Sequence, residues 1–171
     1  PTVDEMTSLV LDVTSVGNHE FDEGVSELLR LQSGGCHPVD GCQDGDGFAG
    51  ADYPMLAANV VYRDNKQPIL APYTIEKIGG VKVAFVGMTL EGTPSIVNPA
   101  GITSVNFLDE VETANKYAAE LLETGVQAIV LLLHEGGSQA TPPTPIDPSG
   151  CANFSGALVD IVNGLNAEFD L

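Results

Sequence analysis

Two short polar segments carry the residue types that could bind a metal ion. Residues 17–22 read Gly-Asn-His-Glu-Phe-Asp, and residues 134–137 read His-Glu-Gly-Gly. The first follows the predicted strand at 12–16, and the second follows the apolar run 126–133. If these strands are parallel, their carboxyl ends share the sheet edge where α/β proteins bind ligands. Imidazole nitrogen and amide or carboxylate oxygen suit zinc, manganese or iron, so this pattern predicts a hydrolytic metal site. The alternative is that these side chains only cap loops, with the histidines hydrogen-bonded to backbone.

Asp22, at the end of the first segment, has two compatible roles that the sequence leaves open. A carboxylate three residues after His19, at the start of a helix, can reach the imidazole and raise its basicity. The same carboxylate can also cap the following helix, in which Val25, Leu28 and Leu29 form an apolar stripe at helical spacing.

Strands and helices alternate over the whole length, which predicts an α/β layered fold. Helices are expected from residue 2, where residues 2–5 have capping-box form and Val3, Met6, Leu9 and Val10 share one face, and at 22–33, 109–124 and 154–165. Asp109 and Glu112 are the expected cap partners of the third of these helices. Strands are expected at 12–16 and 55–61, in a hairpin of 73–78 with 81–88, and from 169. The run 126–133 has the pattern of a central strand that is covered on both faces. Asn59 is expected only to bond the backbone and is left out of the site.

The charge balance excludes several classes of partner. The 171 residues include 24 acidic and 6 basic side chains, giving a formal net charge of -18. Such a surface repels phosphate backbones and anionic lipid, so no nucleic acid is expected to bind. No apolar run approaches the roughly 18 residues that a transmembrane helix requires, so no transmembrane segment is expected.

The cysteines indicate an oxidising compartment. Cys36 and Cys42 lie in a polar loop, residues 33–50, which has little to bury and is expected to be closed by a disulfide between them. A zinc site with His37 is an alternative that lacks an evident fourth ligand. A calcium loop through Asp40, Asp44 and Asp46 fits the EF-hand spacing poorly. Cys151 is left over, and its partner is expected outside the chain.

The segment 17–22, the helix after it, and the Leu-His-Glu-Gly segment at 133–136 resemble the calcineurin-like metallophosphoesterases, specifically the 5'-nucleotidase branch. Residues 57–60 and 83–89 are similar to that family as well, so the resemblance covers nearly the whole chain. It implies an α/β sandwich with mixed sheets, and an enzyme that hydrolyses nucleoside 5'-monophosphates outside the cell, secreted or at the cell surface. Cyclic 2',3'-nucleotides and nucleotide sugars are alternative substrates.

The resemblance also implies site roles. Asn18 and His134 match ligands of one metal, His19 matches the histidine that stabilises or protonates phosphate and leaving-group oxygens, and Asp22 matches the carboxylate that orients His19. In that family two divalent ions such as zinc or manganese activate a hydroxide that attacks phosphorus.

The family's Asp-x-His and Gly-Asp segments upstream and its Gly-His-x-His segment downstream have no counterparts here. We therefore expect residues 1–171 to be part of a catalytic domain, incomplete at both ends, without the C-terminal nucleotide-binding domain. Such a piece is expected to be inactive and to hold no metal by itself. The competing hypothesis is a non-catalytic surface or binding module that has kept the phosphoesterase scaffold.

Overall fold

Short strands and helices alternate along the chain, as the hydrophobic pattern predicts. A computed structural model of the protein describes residues 2–42, 45, 47–139, 150 and 153–171. The helices are α1 (Thr2–Ser8), α2 (Val25–Ser33), α3 (Glu110–Glu123) and α4 (Ala157–Gly164), with 3-10 turns at His19–Phe21, Thr93–Ser95 and Pro99–Ile102. The strands are β1 (Thr14–Ser15), β2 (Met55–Leu56), β3 (Val60–Tyr62), β4 (Tyr73–Ile78), β5 (Val81–Met88), β6 (Val105–Phe107), β7 (Ala128–Leu133), β8 (Ser138–Gln139) and β9 (Phe154–Ser155).

The sheets contain both parallel and antiparallel pairs, which confirms the mixed α/β fold. Strands β4 and β5 form the predicted antiparallel hairpin, with Tyr73 opposite Val86. Strand β7 joins β5 in parallel, with Val83 opposite Ala128 and Met88 opposite Leu133. Strand β1 pairs in parallel with β2, whereas β3 pairs with β6, and β8 with β9, in antiparallel fashion. The carboxyl ends of β5 and β7 therefore meet at one sheet edge.

Two apolar clusters hold the layers together. One lies around α2, β1 and β2 and includes Val16, Phe21 and Leu28, each fully buried. The other lies between α3 and the sheet, where Ala114, Ala118 and Leu121 pack with Ala84, Val86, Met88 and Ile129. The small alanines of α3 allow the helix to approach the sheet closely, and the Asp109 side chain accepts a hydrogen bond from Glu112 N at 2.7 Å, as the predicted cap requires.

The prediction that residues 126–133 form a central strand covered on both faces is wrong. Strand β7 lies at one side of the β4-β5-β7 ladder, and its residues are half-buried apart from Ile129. Residues 169–171, predicted to begin a strand, run beside β7 without strand assignment: Leu131 N donates to Leu171 O at 2.8 Å and Asp170 N to Ile129 O at 2.9 Å. An apolar run reports that a strand is partly covered but not which neighbours cover it.

Three other expectations are corrected. The segment 55–61 forms two strands, β2 and β3, because the chain leaves the first pairing before Asn59. The last helix begins at Ala157, since Phe154 and Ser155 pair in β9. Helix α1 ends at Ser8, so Leu9 and Val10 are not on its face and are 74% and 78% exposed.

The polar loop after α2 is closed by the predicted disulfide between Cys36 and Cys42. Both thiolates that the zinc alternative requires are therefore consumed, and that alternative is wrong. Asp44, Asp46 and Cys151, which the calcium and unpaired-cysteine expectations concern, lie outside the described residues. Among the described helices, none has the length and apolarity needed to cross a membrane.

Candidate metal centre

The two polar segments meet at one edge of the molecule. Asn18, two residues after the buried Val16, lies so that its Oδ1 is 2.8 Å from His134 Nε2. His134 directly follows β7, and its backbone N–H donates to Met88 O at 3.0 Å, which continues the β5-β7 pairing by one step. Strand β1, which precedes Asn18, pairs with β2 in a separate two-stranded sheet, so the two segments do not share one sheet edge. Packing of the end of β1 against the β5-β7 ladder brings together an amide and an imidazole that are 116 residues apart in sequence.

Gly17 permits this approach because the His134 ring lies directly over it. A Cβ at position 17 would be 2.7 Å from His134 Cε1 and 2.8 Å from Nδ1, closer than side-chain atoms approach each other. Only glycine fits under the ring without displacing it. Glu20 Oε2 in turn accepts a hydrogen bond from Gly17 N at 2.7 Å and holds the loop in place.

This role of Glu20 was not predicted from the sequence. The signal that could have revealed it was an acidic side chain three residues after an N–H at the start of a turn, the spacing at which a side chain can bond back to the backbone.

His19 and Asp22 form the second pair of the site. His19 Nδ1 donates to Asp22 Oδ2 at 2.9 Å, and both side chains are open to solvent, at 80% and 51% exposed. The Asp22 carboxylate raises the pKa of His19, first through the hydrogen bond and then through its charge. The imidazolium is favoured accordingly, and Nδ1 is occupied, so Nε2 is the atom left to meet a ligand.

Asp22 does not cap the next helix, and that expectation is wrong. Residues His19–Phe21 form a 3-10 turn of which Asp22 is the last flanking residue. Helix α2 begins later, at Val25, with Gly24 at the N-cap position and no side-chain capping bond. Of the two roles that the sequence left open for Asp22, the carboxylate therefore has the contact with His19 and does not have the helix cap.

The donor chemistry of Asn18 and His134 fits a divalent cation. An amide oxygen and an imidazole nitrogen 2.8 Å apart can both reach one ion, since bonds to zinc are about 2.0–2.2 Å long. Within the part of the chain that the structure describes, no cluster of three or more His, Cys, Asp or Glu side chains is placed to hold a metal. These two residues therefore fit as part of a ligand set.

Comparison with known proteins identifies relatives over most of the chain, although no family model matches the sequence. The chain is 37% identical over 162 residues to the endonuclease YhcR of Bacillus subtilis, an alignment that covers 95% of the chain and 13% of that protein. It is 34% identical over 135 residues to the venom 5'-nucleotidase of Gloydius brevicauda, covering 77% of the chain and 20% of the relative. The chain thus spans a minor part of the length of these relatives.

Solved structures also include 5'-nucleotidases that are similar to this chain. The 5'-nucleotidase precursor of Thermus thermophilus superimposes with a TM-score of 0.59 and 32% identity, over 77% of this chain and 23% of that one. The calcineurin-like phosphoesterase YfkN of Bacillus subtilis has the same fold, with a TM-score of 0.68 at 21% identity over 99% of this chain and 46% of that one. The chain therefore belongs to the 5'-nucleotidase family, and it has the fold of the calcineurin-like phosphoesterase YfkN.

Proposed function

We propose that the protein containing this chain is a metal-dependent phosphoesterase that hydrolyses nucleoside 5'-monophosphates. The observation that supports this most directly is the contact between Asn18 Oδ1 and His134 Nε2, next to the His19–Asp22 pair. Asn18 and His134 come from two distant segments, and His19 directly follows Asn18 in sequence, in a family whose relatives are named for nucleotide hydrolysis.

Asn18 and His134 are the residues of this chain that would hold metal. Two divalent ions such as zinc or manganese, when bound in the intact protein, would supply Lewis-acid activation of water and neutralise phosphate charge. The 6 basic residues against 24 acidic ones leave few side chains to clamp a phosphate anion, which favours a metal-bound substrate.

His19 acts as the general acid in this proposal. Its Nε2–H donates to a phosphate oxygen in the ground state and passes its proton to the ester oxygen of the leaving nucleoside as the P–O bond breaks. Asp22 keeps Nδ1 protonated, holds the ring in one orientation and stabilises the imidazolium before transfer. Because His19 is exposed, a substrate can approach it directly.

A second candidate substrate is the phosphodiester of a nucleic acid. The observation that favours it is the 37% identity over 95% of this chain to a protein named as an endonuclease. The formal charge of -18 opposes it, because the surface of this chain would repel a polyanionic backbone. Nucleotide sugars and cyclic nucleotides are smaller and carry less charge, so they remain within the first proposal.

We place the protein outside the cytoplasm, secreted or at the cell surface. The Cys36–Cys42 disulfide supports this location, since disulfides persist mainly in oxidising compartments. The relative found in snake venom is in keeping with it.

The test is phosphate release from AMP by the full-length protein, with manganese or zinc added or with EDTA. Parallel reactions use a cyclic 2',3'-nucleotide, a nucleotide sugar and single-stranded DNA. His19→Ala should lower kcat by about 10²–10⁴-fold, the usual contribution of a general acid. Its matched control is His37→Ala, which removes the histidine of the disulfide loop and should leave kcat unchanged.

Asp22→Asn in the same assay tests the pairing. Asp22 raises the pKa of His19, so His19 stays protonated to higher pH in the wild type. The variant lacks this carboxylate charge, and the pKa of its His19 should be lower. As pH increases, the variant should therefore lose activity at a lower pH than the wild type. Cleavage of DNA without AMP hydrolysis would move the assignment to the endonuclease candidate. Absence of release from every substrate would support the non-catalytic binding module instead.

A further inference from the structure

Two fully buried polar residues, Asn59 and Thr89, lie directly beneath the metal centre. Both are 0% exposed, although polar side chains are rarely buried unless their hydrogen bonds are satisfied. Asn59 lies between β2 and β3, and Thr89 follows the last residue of β5. Neither carries a role in the proposed chemistry, so their burial asks for another explanation.

Asn59 holds the backbone of Thr89 from both sides. Its Oδ1 accepts from Thr89 N at 2.9 Å, and its Nδ2 donates to Thr89 O at 2.6 Å. Nδ2 also donates to Leu108 O at 3.0 Å, while Asn59 O accepts from Leu108 N at 2.8 Å. The end of β5 is therefore fixed to the segments that follow β2 and β6.

Thr89 in turn holds the first metal-binding segment. Its hydroxyl donates to Val16 O at 3.0 Å, across 73 residues of sequence. Val16 is two residues before Asn18, and the preceding residue of the β5 end, Met88, accepts the backbone hydrogen bond of His134 at 3.0 Å.

These contacts form a closed ring. It runs from Thr89 Oγ1 to Val16, along the chain to Asn18, across to His134, back to Met88 and along the chain to Thr89. In such a ring the Thr89 hydroxyl is the buried cross-link opposite the metal-binding pair. A longer backbone route also joins these segments, because Val16 N donates to Leu56 O at 3.0 Å and Ala58 N donates to Gly87 O at 2.7 Å. The Thr89 hydroxyl is the shorter link, since it joins Val16 directly to the residue after Met88.

We propose that Thr89, held by Asn59, is a positioning residue that sets the separation of Asn18 and His134 and so prepares them to bind one ion together. This inference rests on the proposed function, because it assigns Thr89 to the same centre. Thr89 acts through Asn18 and His134 and contacts neither substrate nor metal itself. Partners of this kind typically account for about 10–100-fold in metal affinity.

The test compares Thr89→Val with Thr93→Val in the full-length protein. Thr93 is also 0% exposed, and its hydroxyl donates to Leu90 O at 2.7 Å within a local turn. Both substitutions remove one hydroxyl from a buried threonine, but only the first breaks the ring. Thr89→Ser, which keeps the hydroxyl, is the rescue variant.

Two readouts are used. Calorimetric titration with Mn²⁺ should show affinity weakened about 10–100-fold in Thr89→Val and unchanged in Thr93→Val and Thr89→Ser. In metal-free protein, the NOE between Gly17 Hα and His134 Hε1, expected from the ring lying over Gly17, should be lost in Thr89→Val alone. The NOE needs no catalysis, so it judges Thr89 even if the wild type hydrolyses no nucleotide, which would count only against the proposed function.

The inference is overturned if Thr89→Val matches Thr93→Val in both readouts, or if both variants lose the NOE, since the effect would then be general loosening. Circular dichroism verifies that each variant is folded. Should Thr89→Val not fold, Thr89→Cys replaces it, because a thiol is a poorer hydrogen-bond donor to Val16 and should give the same loss in weaker form.

Discussion

Gly17 imposes the strictest steric constraint at the candidate metal centre. The His134 ring rests on Gly17, and the three nearest ring atoms are 2.7–2.9 Å from the point where a Cβ would be. The backbone φ of Gly17 is not positive, so another residue could adopt this conformation. Glycine is required here because a Cβ atom would have no space. A methyl group at this position must move the ring of a proposed metal ligand.

Gly17→Ala is accordingly expected to weaken Mn²⁺ binding and nucleotide hydrolysis by about tenfold or more, as displacement of a ligand does. Calorimetric titration and AMP hydrolysis of the full-length protein measure these two effects. The matched control is Gly136→Ala in the second polar segment, where a Cβ would meet nothing within 4 Å. Equal effects of the two substitutions, or none from Gly17→Ala, would contradict the packing argument.

At the scale of elements, helix α3 is tied to the loop after β5 by a buried carboxylate. Glu110, the first residue of α3, is 5% exposed, and its Oε1 accepts from Glu91 N at 2.6 Å. Burial raises the pKa of Glu110 above that of an ordinary glutamate, and this outweighs the hydrogen bonds that lower it. The loop carrying Thr89 and Glu91 is thus held from the helix on one side and from Asn59 on the other.

This burial predicts a pH-dependent cost. The folded protein binds the Glu110 proton more tightly than the unfolded chain does. Proton binding by Glu110 therefore stabilises the folded state, and this stabilisation is fully present below the unfolded-state pKa of about 4.3. It is lost as pH rises through the folded-state pKa. Glu110→Gln keeps an acceptor for Glu91 N but buries no charge, and should therefore gain free energy of unfolding relative to the wild type as pH rises from about 4.

Urea denaturation of wild type and variant at a series of pH values measures this difference. Glu112→Gln, which removes an exposed carboxylate from the same helical turn, serves as the control and should not reproduce the trend. A wild type that gains stability over Glu110→Gln with increasing pH would show that the hydrogen bond from Glu91, and not burial, decides the pKa.

For the molecule as a whole, the dominant electrostatic fact is the formal charge of -18 over 171 residues. Self-repulsion among charges of this number opposes compaction, and we expect the same negative surface to repel polyanions. In the proposed function, this charge favours a phosphate ester that is bound through metal ions, and Asn18 and His134 supply donor atoms of a suitable kind.

The thermal midpoint of the metal-free protein should therefore rise when NaCl is increased from about 10 mM to about 150 mM, because the screening length falls from roughly 30 Å to roughly 8 Å. Thermal denaturation followed by circular dichroism measures it. Choline chloride should give the same increase, since screening does not depend on which monovalent cation is present. A midpoint that falls or stays constant would mean that repulsion among the carboxylates is not a significant cost.

The sequence by itself determined the mixed α/β class, the β4–β5 hairpin, the Asp109 cap and the Cys36–Cys42 disulfide, because each rests on a pattern local to the chain. It also predicted that Asn18, His19, Asp22 and His134 belong to one site, because they follow predicted strands and because they match motifs of the resembled family. The catalytic and metal-binding roles of these four residues stay predictions that the experiments above test.

Only the tertiary structure decided what depends on distant neighbours. It showed that the Asp22 carboxylate bonds to His19, that Gly24 and not Asp22 is the N-cap of α2, and that β7 is an edge strand of the β4-β5-β7 ladder. It also showed that Asn59 and Thr89 cross-link the segments beneath the site. The physical reason is that a hydrophobic pattern reports how much of an element is buried. Hydrogen bonds across 30, 73 and 116 residues arise only when segments that are distant in sequence are packed together in the folded chain.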